Sequence, residues 1–170
     1  MIIRKEEKTD YEQVYHIVKT AFASAEHSDG NEQDLVEALR KSKAFIPELS
    51  LVAEEDGKIA AHILFTKIKM GTSDALALAP LAVLPEYQRK GIGGALIGRG
   101  HEIAREMGFC CVVVLGSEHY YPKSGYVKAS VFGIQAPFEV PDENFMAVDL
   151  SGEGKIPKGT VEYAKEFFEV

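Results

Sequence analysis

The sequence predicts an α/β (α+β) domain, a mixed and mostly antiparallel sheet flanked by helices. Three stretches carry that reading. Asp56-Gly57 lies between two β-rich runs, Leu49–Glu55 and Lys58–Met70. Asp-Gly in that setting is a strong signal for a two-residue turn, so the two runs form an antiparallel hairpin. Leu76–Met107 passes from an apolar strand through a glycine-rich, positively charged turn into an amphipathic helix, and the wholly apolar run Cys111–Leu115 follows. Strand, helix and strand in that order make a right-handed crossover between parallel strands. Near the N-terminus, Val14, Ile17, Val18, Ala21 and Phe22 recur at helical spacing.

A chain of 170 residues is long enough to bury a good core and short enough to be one domain, 1–170. Its 46% hydrophobic and 26% charged residues are ordinary for a soluble globular protein. No apolar run approaches the roughly 18 residues of a membrane span, and the N-terminal MIIRKEEKTD is too charged for a signal peptide. Cys110 and Cys111 are adjacent, which fits neither a disulfide framework nor a zinc site. They read as small apolar residues at a strand start, with no metal expected. These features point to the cytoplasm and away from membranes. A net charge of −7 argues against general nucleic-acid binding and is compatible with a cationic acceptor.

In chain order, Met1–Arg4 suits a short first strand. Thr9-Asp10-Tyr11-Glu12 reads as a capping box, with Thr at the cap and Glu three residues on. The first helix follows, then a polar, irregular stretch over 23–31 that includes Glu26, His27 and Asp29. A second helix is expected over about Glu32–Lys41 with Leu35, Val36 and Leu39 inward, and Pro47 closes that region. After the hairpin, Gly71–Asp74 is a break. Pro80 falls inside the next strand, where the missing N–H implies a bulge or an edge. The helix behind the glycines carries Ile92, Leu96, Gly100, Ile103 and Met107 on one face. Gly100 there reads as a site of close helix–sheet contact, whereas Gly98 has no place in the pattern. Met107-Gly108-Phe109 is a C-cap, and Gly116–Tyr126 suggests a short helix ending at Gly125. Val127–Ala136 and Phe145–Leu150 should be antiparallel strands, broken up by Pro137, Pro141 and Pro157. Val161–Phe168 is a strand or a short helix.

The chemistry concentrates at Gln88-Arg89-Lys90-Gly91-Ile92-Gly93-Gly94. The first turn of a helix leaves four N–H groups without intrahelical partners and adds roughly half a positive charge. Glycines there let a ligand approach the backbone, so the turn is an anion cradle. A P-loop needs GxxxxGK followed by Ser or Thr, which the chain lacks. A Rossmann fingerprint needs a third glycine where Leu96 stands, and six residues separate the strand from Gly91. Gln88 to Gly93 instead matches in full the signature of the GCN5-related N-acetyltransferases (GNAT): Gln or Arg, two residues, Gly, one residue, Gly or Ala. LAVLPEYQRKGIGGALI resembles that superfamily over the whole strand, loop and helix. YYPKSGY resembles a second segment, in which a Tyr precedes a Gly by four residues and an aromatic follows. Tyr121 falls on that Tyr, and Tyr126 replaces the commoner Phe. The order LAVLPEYQRKGIG, VVVLG, YYPKSGY is most similar to the YhbS-like group of bacterial acetyltransferases.

The resemblance implies a GNAT fold, with the sheet splayed at its central parallel pair, a bulge near Pro80 and acetyl-CoA in the split. It implies an acetyl-CoA-dependent N-acetyltransferase acting on a primary amine of a small molecule or peptide. Cofactor contacts would come from Leu81, Ala82, Val83, Gln88, Arg89, Lys90, Gly91, Ile92, Gly93, Gly94, Ser117 and Tyr121. A backbone N–H at Ala82 or Val83 would polarise the thioester carbonyl, and Tyr121 would protonate the departing thiolate. Arg89 stands where the family commonly has Gly. The base is open among Glu26, His27, His62 and His119, with Glu26 first because its segment would wall the acceptor cleft. Glu54 and Glu55 read as solvated, and Tyr120 as a packing aromatic or an alternative acid. A homodimer is compatible with the resemblance. Two rival readings are an acyl-CoA-binding domain without turnover and a nucleotide-binding module.

Overall fold

The structure, a computed structural model, describes residues 1–23, 25 and 28–170 of the chain. Its centre is the expected hairpin, β2 (Phe45–Glu55) and β3 (Lys58–Met70). Asp56 and Gly57 join the strands with φ of 51° and 78°. Two positive φ values match the twist of the flanking strands. β1 (Ile2–Lys5) pairs antiparallel with β2. β4 (Ser73–Val83) pairs antiparallel with the other side of β3. β5 (Cys111–Leu115) then lies parallel to β4, β8 (Phe145–Asp149) antiparallel to β5, and β6 (Val127–Lys128) antiparallel to β8. The order is therefore β1-β2-β3-β4-β5-β8-β6, a mixed and mostly antiparallel sheet.

The parallel pair is short. Leu76 and Ala77 face Val112 and Val113, and there the pairing stops. β4 keeps its ladder with β3 as far as Val83. Within that ladder Leu78 faces Phe65 and Leu81 faces Ile63, so β4 carries one residue more than β3. This is the bulge that Pro80 implied, and a proline without an N–H is tolerated at one.

Side chains alternate between the faces of β3. On one face, α1 (Tyr11–Phe22) and α2 (Glu32–Arg40) bury Val14, Ile17, Val18, Val36 and Leu39 against Val52, Leu64 and Ala82. On the other, α3 (Ile92–Glu106) sets Ile92, Leu96, Ile97 and Ala104 against Phe65, Leu76, Leu78 and Val112. A β-carbon built on Gly100 would overlap the Phe65 ring, so the close contact read from the sequence exists. α3 ends as expected: Gly108 has φ 90°, its N–H bonds Arg105 O at 3.0 Å, and Phe109 N–H bonds Ala104 O at 2.9 Å. Among the described residues no helix is long and apolar enough to cross a membrane.

Four local expectations are corrected. The capping box is not Thr9/Glu12. A 3-10 turn, Lys8–Asp10, precedes α1, and the Asp10 carboxylate accepts the Glu7 N–H at 2.7 Å while Arg4 donates to it at 2.7 and 2.9 Å. Pro47 does not close the α2 region, because β2 begins at Phe45 and takes the proline in a register shift between Phe45 and Ser50. Met107 is 44% exposed, since as C-cap it lies past the last packed turn, and the buried stripe runs instead through His101 and Ala104. Val127–Ala136 holds only β6, a 3-10 turn over Ala129–Phe132 and the two-residue β7 (Ile134–Gln135). β7 pairs parallel, not antiparallel, with β9 (Gly159–Glu162), whose far end joins β3 at Lys69 and Met70. Val161–Phe168 contains both alternatives, the end of β9 and a 3-10 turn over Lys165–Phe168.

Polar groups are also buried in this core. Arg40 donates to Glu6 at 2.6 and 3.1 Å, and Ser50 donates to the same carboxylate at 2.9 Å. His62, 0% exposed on β3, sits with Nδ1 2.9 Å from Leu51 O, and burial lowers its pKa from 6.5 to about 4. His101, 5% exposed on α3, is likewise lowered to about 4 by burial, with Arg105 adding to the effect.

Two predictions follow from the packing. Gly98 faces open space, so Gly98→Ala should stabilise the fold by about 1 kcal/mol through helix propensity. Gly100→Ala should destabilise it by about 1–3 kcal/mol through overpacking against Phe65. Denaturant unfolding measures both, and equal signs would mean that α3 stands off Phe65. The histidines set an acid limb. Their folded pKa values lie below the unfolded value, so the unfolded chain binds more protons between the two. Stability should be full above pH 6.5 and fall as pH drops from about 6.5 toward 4. Replacing His62 with Asn should flatten that limb in thermal scans, and an unaltered slope would mean that the ring titrates freely.

Candidate active site

The N-terminus of α3 is the first part of the site. Arg89 and Gly91 have φ of 63° and 82°, and this pair of left-handed residues turns the chain into the helix. The first helical bond runs from Ala95 N–H to Gly91 O at 3.1 Å, ahead of which lie the N–H groups of Ile92, Gly93 and Gly94. No side chain caps them, and the first turn holds no acid. By contrast α1 has Glu12 in its first turn, and α2 has Glu32 and Asp34. The positive end of the α3 dipole is thus left uncompensated. A β-carbon on Gly91 or Gly94 would meet nothing within 4 Å, and Gln88, Arg89 and Lys90 are exposed around the opening. The Gln88 side chain donates to Val83 O at 3.1 Å and ties the loop to the end of β4. Backbone donors, a helix dipole and two exposed cations, Arg89 and Lys90, the latter with Nζ 5.6 Å from the Tyr87 ring centre, suit a diphosphate.

The second part is β4 beyond the parallel pair. Leu84 N–H bonds Ala60 O at 3.0 Å. By strand alternation Leu84 and Ala82 therefore aim their backbone at β3, while Leu81 and Val83 aim theirs at the side that β5 has left. Val83 O is the carbonyl that Gln88 reaches from that side. Of the two N–H groups expected to polarise a carbonyl, the one at Ala82 is turned away and the one at Val83 faces the split.

The third part is the loop after β5. Gly116 N–H bonds Asn144 O at 2.9 Å, and Asn144 Nδ2 donates to Gly116 O at 3.0 Å and to Glu118 at 2.7 Å. Ser117 O accepts from Tyr120 and Tyr121 N–H at 3.1 and 3.2 Å, and its hydroxyl accepts from His119 N–H at 3.1 Å. Ser117 thus builds this turn. A 3-10 turn over Tyr121–Ser124 ends at Gly125 with φ 95°. The Tyr121 ring lies where a β-carbon on Gly116 would stand, edge-on to Tyr120 at 5.1 Å and to Tyr126 at 5.8 Å. Burial, with a smaller contribution from Tyr120, pushes the Tyr121 hydroxyl well above its ordinary pKa. The hydroxyl therefore carries its proton at neutral pH.

The three parts meet at Gly93. A β-carbon built there would overlap the Tyr120 hydroxyl and stand 3.6 Å from Leu81 Cδ2. The helix start, the free edge of β4 and the tyrosine loop are therefore neighbours.

The candidate bases divide differently. Glu26 and His27 lie outside the described residues. His62 is sealed in the core, and His119 is exposed beside Glu118 at 3.2 Å. Glu54 pairs with Arg4 at 2.8 Å, and Glu55 stands 3.8 Å from the N-terminal amine. Two groups were missed. His101 Nε2 and the Tyr126 hydroxyl share a buried hydrogen bond of 2.8 Å, which accounts for Tyr where the family commonly has Phe. The spacing of Ile97, His101 and Ala104, four and then three, could have placed His101 on the inner stripe. Nothing in the sequence signalled the Asn144 clamp.

A family model described as acetyltransferase (GNAT) family matches residues 11–126. The uncharacterized N-acetyltransferase YjhQ of Escherichia coli K12 is 39% identical over 143 residues, covering 81% of this chain and 76% of that protein. The uncharacterized N-acetyltransferase YhbS of the same strain is 27% identical over 171 residues, covering 98% of each. Among solved structures, a GNAT family acetyltransferase from Brucella melitensis in complex with acetyl-CoA superposes with a TM-score of 0.81 at 33% identity, covering 98% of this chain and 97% of that one. Escherichia coli YhbS in complex with CoA superposes with a TM-score of 0.89 at 26% identity, covering 98% and 91%.

Proposed function

The chain belongs to the acetyltransferase (GNAT) family, and on that footing we propose that residues 1–170 form one cytoplasmic N-acetyltransferase domain that moves an acetyl group from acetyl-CoA to a primary amine of a small molecule or peptide. The observation that carries this reading is the meeting, at Gly93, of an uncapped helix N-terminus, an unpaired strand edge and the tyrosine loop. The acetyl-CoA and CoA held by the two structural relatives support the ligand.

Each residue then has a task. The N–H groups from Arg89 to Gly94 hold the pyrophosphate, with Arg89 and Lys90 adding positive charge. The free N–H of Val83 polarises the thioester carbonyl, in the manner of an oxyanion donor. The neutral amine attacks the carbonyl carbon; a C–N bond forms and the C–S bond breaks. Tyr121 gives its proton to the departing sulfur. Glu26, directly or through water, takes a proton from the incoming ammonium before attack, and the second nitrogen proton, released as the amide forms, goes to the Tyr121 oxygen or to solvent. The negative net charge of the chain favours an acceptor that arrives as an ammonium ion. A tyrosine at the motif position favours turnover over the rival acyl-CoA-binding reading, for which no acid is needed.

The first test is thermal unfolding with acetyl-CoA, with NAD and ATP as controls. A ligand at about a hundred times its Kd stabilises by roughly 2.7 kcal/mol, which for this size is about 5–10 °C. A shift with NAD or ATP instead would overturn the choice of ligand. An amine panel followed by thiol release then separates enzyme from binder. Two variants assign roles. Tyr121→Phe should lower turnover by about 10²-fold with acetyl-CoA affinity little changed, and undiminished turnover removes Tyr121 from the acid role. Gly91→Val should raise the acetyl-CoA Kd by at least about tenfold, because its φ of 82° is strained for a β-branched residue and its side chain enters the open cradle. Wild-type affinity in that variant would show that the cradle lies elsewhere.

A further inference from the structure

Gly91, Gly93 and Gly94 open α3, but each stands in a different situation. Gly91 has φ 82°, which an L side chain rarely adopts, and Gly94 has open space where a side chain would go. Gly93 has neither property. It is buried in the first turn of α3, its φ is not among the positive values, and Ala there would favour the helix by about 1 kcal/mol. Its one constraint is the Tyr120 hydroxyl, which occupies the place of the missing β-carbon. The next atom of that ring, Cζ, would stand 3.4 Å from a β-carbon, a separation that a phenyl ring can keep.

Tyr120, 37% exposed, is joined to the rest of the site through its backbone and one ring edge. Its N–H and that of Tyr121 both bond Ser117 O, and its ring stands edge-on to Tyr121 at 5.1 Å. The loop itself is pinned to Asn144 through Gly116 and Glu118. Leu81, on the free edge of β4, lies 3.6 Å from the same point beside Gly93. One hydroxyl therefore touches the helix that would bind the pyrophosphate, and it is carried by the loop that would supply the acid.

We propose that Tyr120 is a positioning residue: its hydroxyl, seated on the bare α-carbon of Gly93, latches the 116–126 loop to the first turn of α3 and sets the width of the acetyl-CoA slot. The latch rests on the ligand reading given above. It assigns Gly93 to fit against Tyr120, and it separates Tyr120 from the acid role of its neighbour. A side chain at 93 pushes the ring outward, and the loop with Tyr121 moves with it.

A double-mutant cycle tests this. The chain as it stands, Gly93→Ala, Tyr120→Phe and the double variant are compared by calorimetric titration with acetyl-CoA and by thermal midpoint. In the presence of Tyr120, Gly93→Ala should raise the Kd by about tenfold, a coupling of the size that touching residues show. In the Tyr120→Phe background the same change should cost less than about twofold, because the hydroxyl it would strike is gone. The midpoints should show the same non-additivity. An equal Kd penalty in both backgrounds overturns the latch, since the new methyl would then be striking the cofactor itself. A coupled midpoint with an unmoved Kd also overturns it, leaving a packing contact with no part in binding. Absence of acetyl-CoA binding in every form defeats the ligand reading and the slot together, a pattern distinct from either of those.

Discussion

The site depends on where one pairing stops. β4 and β5 share two register pairs, Leu76 with Val112 and Ala77 with Val113, and then part. A strand edge inside a sheet normally has its N–H and C=O groups matched. Here those of Leu81 and the N–H of Val83 face a gap, while Val83 O is taken by the Gln88 side chain. The bulge at Pro80 adds a residue to β4 just where the separation begins, and the crossover helix starts beside the far end of the same strand. Free backbone groups, a positive helix end and a short loop from β5 are thus delivered to one place by topology, with few specialised side chains.

α3 has two duties that follow from this. Along its length it packs Leu96, Ile97 and Ala104 over residues from both arms of the split, Leu76 and Leu78 on one and Val112 and Val114 on the other. At its start it leaves N–H groups uncovered. Gly100 lets the helix come down on Phe65, which brings the same rigid body close to the sheet at the point where the sheet is weakest. His101 and Tyr126 add a buried hydrogen bond between the helix and the segment after the tyrosine loop. The helix therefore braces the split as well as furnishing it.

Much of this was legible in the sequence because it was written in turn chemistry and periodicity. Asp56-Gly57 fixed the hairpin, the Gln88–Gly93 run marked the helix start, and Gly108 marked its end. Pro80 announced its bulge by what it lacks. The misreadings arose where a local signal lost to a distant partner. Thr9 and Glu12 had the spacing of a cap, but Arg4 draws Asp10 into that role across the strand. Pro47 looked like a terminator, yet a register shift absorbs it within β2. Met107 had the right period and the wrong position, past the end of the packed helix. The pairing of β7 with β9 joins two short segments far apart in the chain, and nothing local to either could have declared it. Of the site, the glycine-opened helix start was readable as a motif, whereas the inward turn of Ala82 and the Asn144 clamp depend on register and contact.

The unpaired edge of β4 has a consequence for the protein's behaviour among its own copies. A sheet margin with free N–H and C=O groups is a template on which another chain can add a strand, and proteins commonly guard such margins with charge, proline or short length. In this fold the free margin is internal. It opens between two arms of one sheet, with Pro80 at its base and the 116–126 loop beside it. A slot of that kind keeps the hydrogen-bonding capacity of an edge for a slender ligand while offering a second polypeptide less room to pair than an outer margin would.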